Sequence, residues 1–167
     1  MTAIRTLARL EPDHVAQLAE ILIAAVAEGA SVGFLPPLAR EEAERYWQTV
    51  FEPGVVLLVA EQDGRIVGTV QLALALRANG RYRAEVNKLL VHPAHRRQGI
   101  ARRLMAEVET VARREGRTLL HLDTREGDPS HDLYRALGWV EAGRIPRWAG
   151  SASGRLEATV FYYRLLA

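Results

Sequence analysis

A chain of 167 residues, 49% of them hydrophobic, has the size and composition of one folded domain, 1–167, with a proper buried core. It contains no cysteine, which excludes disulfides, thiolate metal sites and a cysteine nucleophile. Net charge is only +2, acidic residues are interspersed among the basic ones, and Lys88 is the single lysine beside the arginines, so no nucleic-acid partner is expected.

Residues 1–10, MTAIRTLARL, alternate like a strand over 2–9 and lack the apolar core of an export signal. The apolar stretches are too short to span a bilayer, so a cytoplasmic protein with no membrane partner is expected. In EPDHVAQLAEILIAAVAEG, Val15, Leu18, Leu22 and Val26 recur at helical spacing up to a stop at Gly29. Pro36 and Pro37 bar a helix through GASVGFLPPL, residues 29–38. A second helix is expected from about Arg40 to Phe51. VVLLVAEQDGRIVGTVQLAL reads as a hairpin turning at Asp63-Gly64, a pair suited to positive φ.

RAEVNKLLV is a further strand. GIARRLMAEVETVARREG is an amphipathic helix with Ile100, Leu104, Val108 and Val111 on one face. TLLHLDT reads as a strand, SHDLYRALG as a short helix, and WVEAGRIP and EATVFYYRLL as the last two strands. The strand–helix–strand unit Glu85–Thr124 predicts a parallel pair with a right-handed crossover. The fold class is therefore α/β (α+β): a mixed, mostly antiparallel sheet flanked by helices.

VHPAHRRQGIARRLM, residues 91–105, places a glycine and four arginines where a strand hands over to a helix. A helix N-terminus exposes unpaired amides and carries about half a positive charge. Gly99 lets a ligand approach the backbone, and the arginines add charge, so the turn suits a phosphate or pyrophosphate. ATP and NAD fit poorly, because neither a P-loop nor a GxGxxG motif is present.

RRQGIA, Arg96–Ala101, matches the acyl-CoA signature of the GNAT N-acetyltransferases: arginine or glutamine, two residues, glycine, any residue, then glycine or alanine. VNKLLVHP before it, TLLHLDT after the helix and LYRALGW about 35 residues on follow the family's order. LDTREGD, GRIPRWA and ATVFYY look most like the tabtoxin-resistance type of small-molecule acetyltransferase. The resemblance implies acetyl-CoA held as co-substrate where two parallel strands splay apart. Leu89, Leu90 and Val91 would pair with the pantetheine arm, and the backbone of Arg96, Arg97, Gln98, Gly99, Ile100, Ala101 and Arg102 would cradle the pyrophosphate. The asparagine that the family usually carries seven residues before the tyrosine of LY is Gly127 here.

Acetyl transfer to an amine requires the amine to lose a proton. An alkylammonium with pKa about 10.4 is only about 0.04% free base at pH 7, a deficit of about 4–5 kcal/mol. Glu85 is the first candidate base: strand alternation puts Glu85, Asn87 and Leu89 on one face, and histone-modifying family members have a glutamate at this spacing. Asp123, at the carboxyl end of a parallel strand, is the second. Tyr134 stands where the family often aims a phenol at the CoA sulfur. Each also has a plain structural reading: a surface glutamate, a strand-exit cap and a packed helix tyrosine.

With no cysteine to carry an acyl group, direct transfer in a ternary complex is expected. In this fold the 29–38 segment commonly walls the acceptor, which makes Ser31 and Phe34 contacts, and a loop over 146–154 would add Arg147 and Trp148. His92 and His95 straddle Pro93 without a carboxylate pattern, so no metal is expected; His14 and His131 read as surface residues. The expected activity is acetylation of a small-molecule amine. The alternatives are a protein lysine or N-terminus as acceptor, or a non-catalytic acyl-CoA-binding module. A homodimer follows only by analogy with the family.

Overall fold

The computed structural model describes residues 1–167. In chain order the elements are β1 (Ala3–Leu7), α1 (Pro12–Ala27), α2 (Arg40–Gln48), β2 (Val55–Gln62), β3 (Arg65–Leu74), β4 (Arg83–Val91), a 3₁₀ turn (Pro93–His95), α3 (Ile100–Arg114), β5 (Leu119–Arg125), α4 (Ser130–Ala136), β6 (Val140–Gly150) and β7 (Leu156–Leu165). The seven strands form one sheet in the order β1-β2-β3-β4-β5-β7-β6. Only β4 and β5 are parallel; every other pair is antiparallel. This is the mixed sheet with a parallel pair that the chain order predicts.

The parallel pair is short. Arg83, Ala84 and Glu85 face Leu119, Leu120 and His121, and no pairing follows. β5 continues against β7 as far as Arg125, while β4 stays with β3. The two strands therefore part just beyond Glu85 and leave one edge of residues 86–91 without a partner strand. A sheet edge with unpaired amides and carbonyls is a template for an extended ligand.

β4 carries a bulge that alternation does not foresee. Asn87 faces Gln71 and Leu90 faces Thr69, so Lys88 and Leu89 together oppose Val70, and Lys88 takes a φ of 52°. One extra residue inverts the parity of everything after it. Ala84 and Val86 belong to the core under α3, with Leu89 and Val91 packed against it, whereas Leu90 joins the opposite core under α1 and α2. Leu89 thus lies across the sheet from Glu85 and Asn87, correcting the shared face expected for the three.

Other boundaries shift for local reasons. α2 ends at Gln48, short of Phe51, as the Thr49 and Val50 amides close tighter turns onto the carbonyls of Tyr46 and Trp47 ahead of Pro53. β6 runs through Pro146–Gly150, which were expected as loop; only 151–155 connect it to β7. The hairpin turns at Asp63 and Gly64 with φ of 49° and 77°, as its sequence requires.

α3 is clamped over the middle of the sheet by a close approach at Gly68. A Cβ there would lie 3.1 Å from the Leu90 carbonyl oxygen and 3.2 Å from Ile100 Cγ2. Gly68→Ala is expected to lower stability by about 1–3 kcal/mol, read from denaturant midpoints, because helix and strand must separate to admit the methyl group.

Candidate functional site

The parting of β4 from β5 opens a cavity of about 650 Å³ beside the N-terminus of α3. A second cavity of about 360 Å³ adjoins it, and the two share Ala30, Leu89, Leu90, Asp128, Ser130 and Tyr134. The larger has room for an extended ligand. The smaller has the dimensions of a pocket for a compact one.

The floor of the larger cleft is built by the turn before α3. Arg97 and Gly99 both take left-handed backbone, at φ of 62° and 76°. Gly99 is the N-cap residue, and a Cβ on it would meet nothing within 4 Å. Glycine serves there for its backbone angle and for the open approach it leaves. None of the main-chain amides from Arg97 to Arg102 donates to an acceptor within the chain; the first helical bond is Arg103 N–H to the Gly99 carbonyl. Six consecutive free amides at the positive end of a 15-residue helix are suited to phosphate oxygens.

Of the residues expected here, Leu89, Leu90, Val91, Arg96, Arg97, Gly99, Ile100, Ala101 and Arg102 line the larger cleft. Gln98 does not: its side chain accepts a hydrogen bond from Gln62 at 3.1 Å. Arg96 bridges the turn to α1 through an ion pair with Glu28. Gly127 borders neither cavity, so the side-chain contact expected of an asparagine at this position is absent.

Glu85, Asp123 and Tyr134 all line the smaller cavity. Glu85 sits at the last paired position of β4, where the strands part, and is half-buried. Asp123 is more exposed and accepts a hydrogen bond from the Thr159 hydroxyl at 2.8 Å. Asn87 Oδ1 is buried with no hydrogen-bond partner, an acceptor left over at the same wall. Tyr134 is 7% exposed, and burial, reinforced by Asp128, holds its phenol well above the usual tyrosine pKa. It therefore keeps its proton across the neutral and mildly alkaline range.

Ser31 and Trp148 also line the smaller cavity, and Trp148 packs edge-on against Phe161 with ring centroids 5.5 Å apart. Phe34 does not reach it. Its ring packs against Tyr46 at 5.4 Å and borders a separate hollow of about 230 Å³. Arg147 touches neither cavity. His131 is buried rather than exposed, hydrogen-bonded to the Tyr162 hydroxyl at 2.6 Å and the Arg125 carbonyl at 2.9 Å.

Sequence reasoning missed Lys88, Asp128 and Ser130 in the smaller cavity and Arg125 in the larger one. Arg125 ties the Gly29 carbonyl to Glu157, joining the 29–38 segment to β7. Its being the chain's single lysine, placed inside a strand, was the available signal for Lys88. No group of three or more His, Cys, Asp or Glu side chains is placed to hold a metal, and no helix is long and apolar enough to cross a membrane.

Comparison with known proteins fits this geometry. A profile described as the acetyltransferase (GNAT) family matches residues 18–139. An uncharacterised N-acetyltransferase of Azospirillum brasilense is 38% identical over 131 residues, spanning 74% of this chain and 78% of that protein. An IAA acetyltransferase of the same organism is 35% identical over 97 residues, spanning 58% and 61%. Among solved structures, an acetyltransferase of Salmonella typhimurium with its cofactor acetyl-CoA superposes with a TM-score of 0.80 at 23% identity, covering 99% of this chain and 94% of that one. An N-acetyltransferase of Staphylococcus aureus gives 0.84 at 18% identity, covering 100% and 99%. With the splayed strands, the amide cradle and these relatives in agreement, the chain belongs to the acetyltransferase (GNAT) family, an enzyme family that uses acetyl-CoA as co-substrate.

Proposed function

We propose that this acetyltransferase acts on a primary amine of a small molecule, by direct transfer in a ternary complex within a single domain. The observation that carries the reading is the smaller cavity. It is a pocket of about 360 Å³, walled by residues 30–33 and by Trp148, with Glu85, Asp123 and Asn87 as acceptors for an amine. A protein acceptor would call for a long open groove. The sequence likeness to tabtoxin-resistance acetyltransferases and the relative named as an IAA acetyltransferase are consistent with a small acceptor.

The unpartnered edge of β4 at Leu89–Val91 pairs with the pantetheine arm, and the amides of Arg97–Arg102 hold the pyrophosphate. Glu85 takes the proton from the acceptor ammonium, with Asp123 orienting the amine. A main-chain N–H of Leu89 or Leu90 polarises the thioester carbonyl, the kind of donor whose loss costs about 3–4 kcal/mol. Tyr134, kept protonated by burial, donates a hydrogen bond to the departing CoA thiolate. Thiol release from acetyl-CoA across a panel of small amines and peptides tests the acceptor class: turnover with amines and none with peptides is expected. Preference for peptides would overturn the small-molecule reading.

Tyr134→Phe is expected to lower kcat about 10²-fold in the same assay, the lower part of the range for a positioned donor. Unchanged turnover would remove the donor role.

A further inference from the structure

Lys88 is the only lysine among 22 lysines and arginines. Everywhere else this chain uses a basic side chain, it uses arginine. The chemical difference is that an amine can shed its proton and act as a nucleophile, whereas a guanidinium cannot. The residue stands on the β4 bulge, half-buried, and lines the acceptor cavity. Its ammonium makes no ion pair or hydrogen bond within the chain and lies 5.4 Å from the centroid of the Tyr46 ring. Burial pulls its pKa below the usual lysine value, against the opposing pull of Glu85 and Asp123.

An incoming acceptor amine meets the same surroundings: the Glu85 and Asp123 carboxylates, the Tyr134 phenol, and the cleft that opens past Leu89 and Leu90. Lys88 is an internal amine in a chamber built for an external one. The next residue, Leu89, already lines both cavities, so the Lys88 stem starts one residue from the cofactor cleft.

We propose that Lys88 is a self-acetylation site, modified when acetyl-CoA is bound and no acceptor fills the smaller cavity. This rests on the direct-transfer reading above. Neutral Nζ attacks the thioester carbonyl carbon; a C–N bond forms and the C–S bond breaks. CoA leaves as thiolate, hydrogen-bonded by the Tyr134 phenol, and the surplus proton on nitrogen passes to Glu85 or Asp123. The product is an uncharged amide. Unlike an acyl-enzyme ester or thioester, it does not pass its acetyl group on. It occupies the acceptor cavity and removes the one cation there, so modified enzyme is expected to turn over acceptor more slowly.

The test is incubation of the full chain with acetyl-CoA alone, followed by intact mass and peptide mapping. With a single lysine, only the α-amino group competes for the label. One acetyl increment on Lys88 is expected, forming at least about tenfold more slowly in Glu85→Gln, and retained when an acceptor amine is added afterwards. Equal labelling of the urea-unfolded chain would mean ordinary solution acetylation and overturn the inference. Discharge of the label to acceptor would overturn it too, together with direct transfer. An unmodified Lys88 in protein that binds CoA and releases thiol with an amine overturns the self-acetylation alone. Failure of thiol release with every amine, in protein that binds CoA, overturns the proposed function itself.

Discussion

Ala101→Glu should cost the enzyme its affinity for CoA without lowering its melting temperature. Ala101 lies in the first turn of α3 and lines the cleft above the free amides of Arg97–Arg102. A carboxylate there competes with the pyrophosphate for those amides and repels it. Unit charges held about 4 Å apart near a protein surface repel by about 4 kcal/mol, roughly a thousandfold in Kd. The first turn of α3 holds no acidic residue, so a glutamate adds about 0.3–1 kcal/mol of favourable interaction with the helix dipole. Binding and folding therefore move in opposite directions, which separates this outcome from simple damage. Ala101→Gln matches the glutamate in size but not in charge and should lose far less. Calorimetry with CoA and a thermal melt read both quantities. An unchanged heat of CoA uptake in the folded glutamate variant would mean that the phosphates do not lie against these amides.

Much of this site was legible because its parts are local. The free amides follow from a strand, a glycine turn and a helix in succession, and each leaves its own sequence signal. The hairpin at Asp63-Gly64 and the apolar stripe of α3 are of the same kind. What was hidden depends on partners distant in sequence. The Lys88 bulge exists only relative to the register of β3, and a lysine in left-handed backbone has no signature of its own. Burial of His131 is set by Tyr162, 31 residues away. The strand at 146–150 is an edge strand exposed along nearly its whole length, so it shows no apolar alternation, and Pro146 disguises it further. The bulge matters most, because it moves Leu89 to the other face and brings Lys88 into the chamber with Glu85.

That chamber sets up an unequal pair of carboxylate variants. Glu85→Gln is expected to reduce kcat/KM by about 10²–10⁴-fold, the range for a positioned general base. It should also remove the acid limb of the rate profile that base ionisation produces. Asp123→Asn should cost less and act mainly through KM. One Asp123 oxygen already accepts the Thr159 hydroxyl, and its carboxylate stands nearer solvent than Glu85. It is placed to steer a cation rather than to take up the amine proton. Glu85 sits where β4 and β5 part, its backbone fixed by strands on both sides, and its carboxylate is free of ion pairs. A rigid backbone keeps a base within reach of the reacting nitrogen, and small losses of position are expensive in rate. Steady-state kinetics across pH decide between the roles. Wild-type-like profiles in both variants would reject the pair, and a larger kcat loss in Asp123→Asn would exchange their parts.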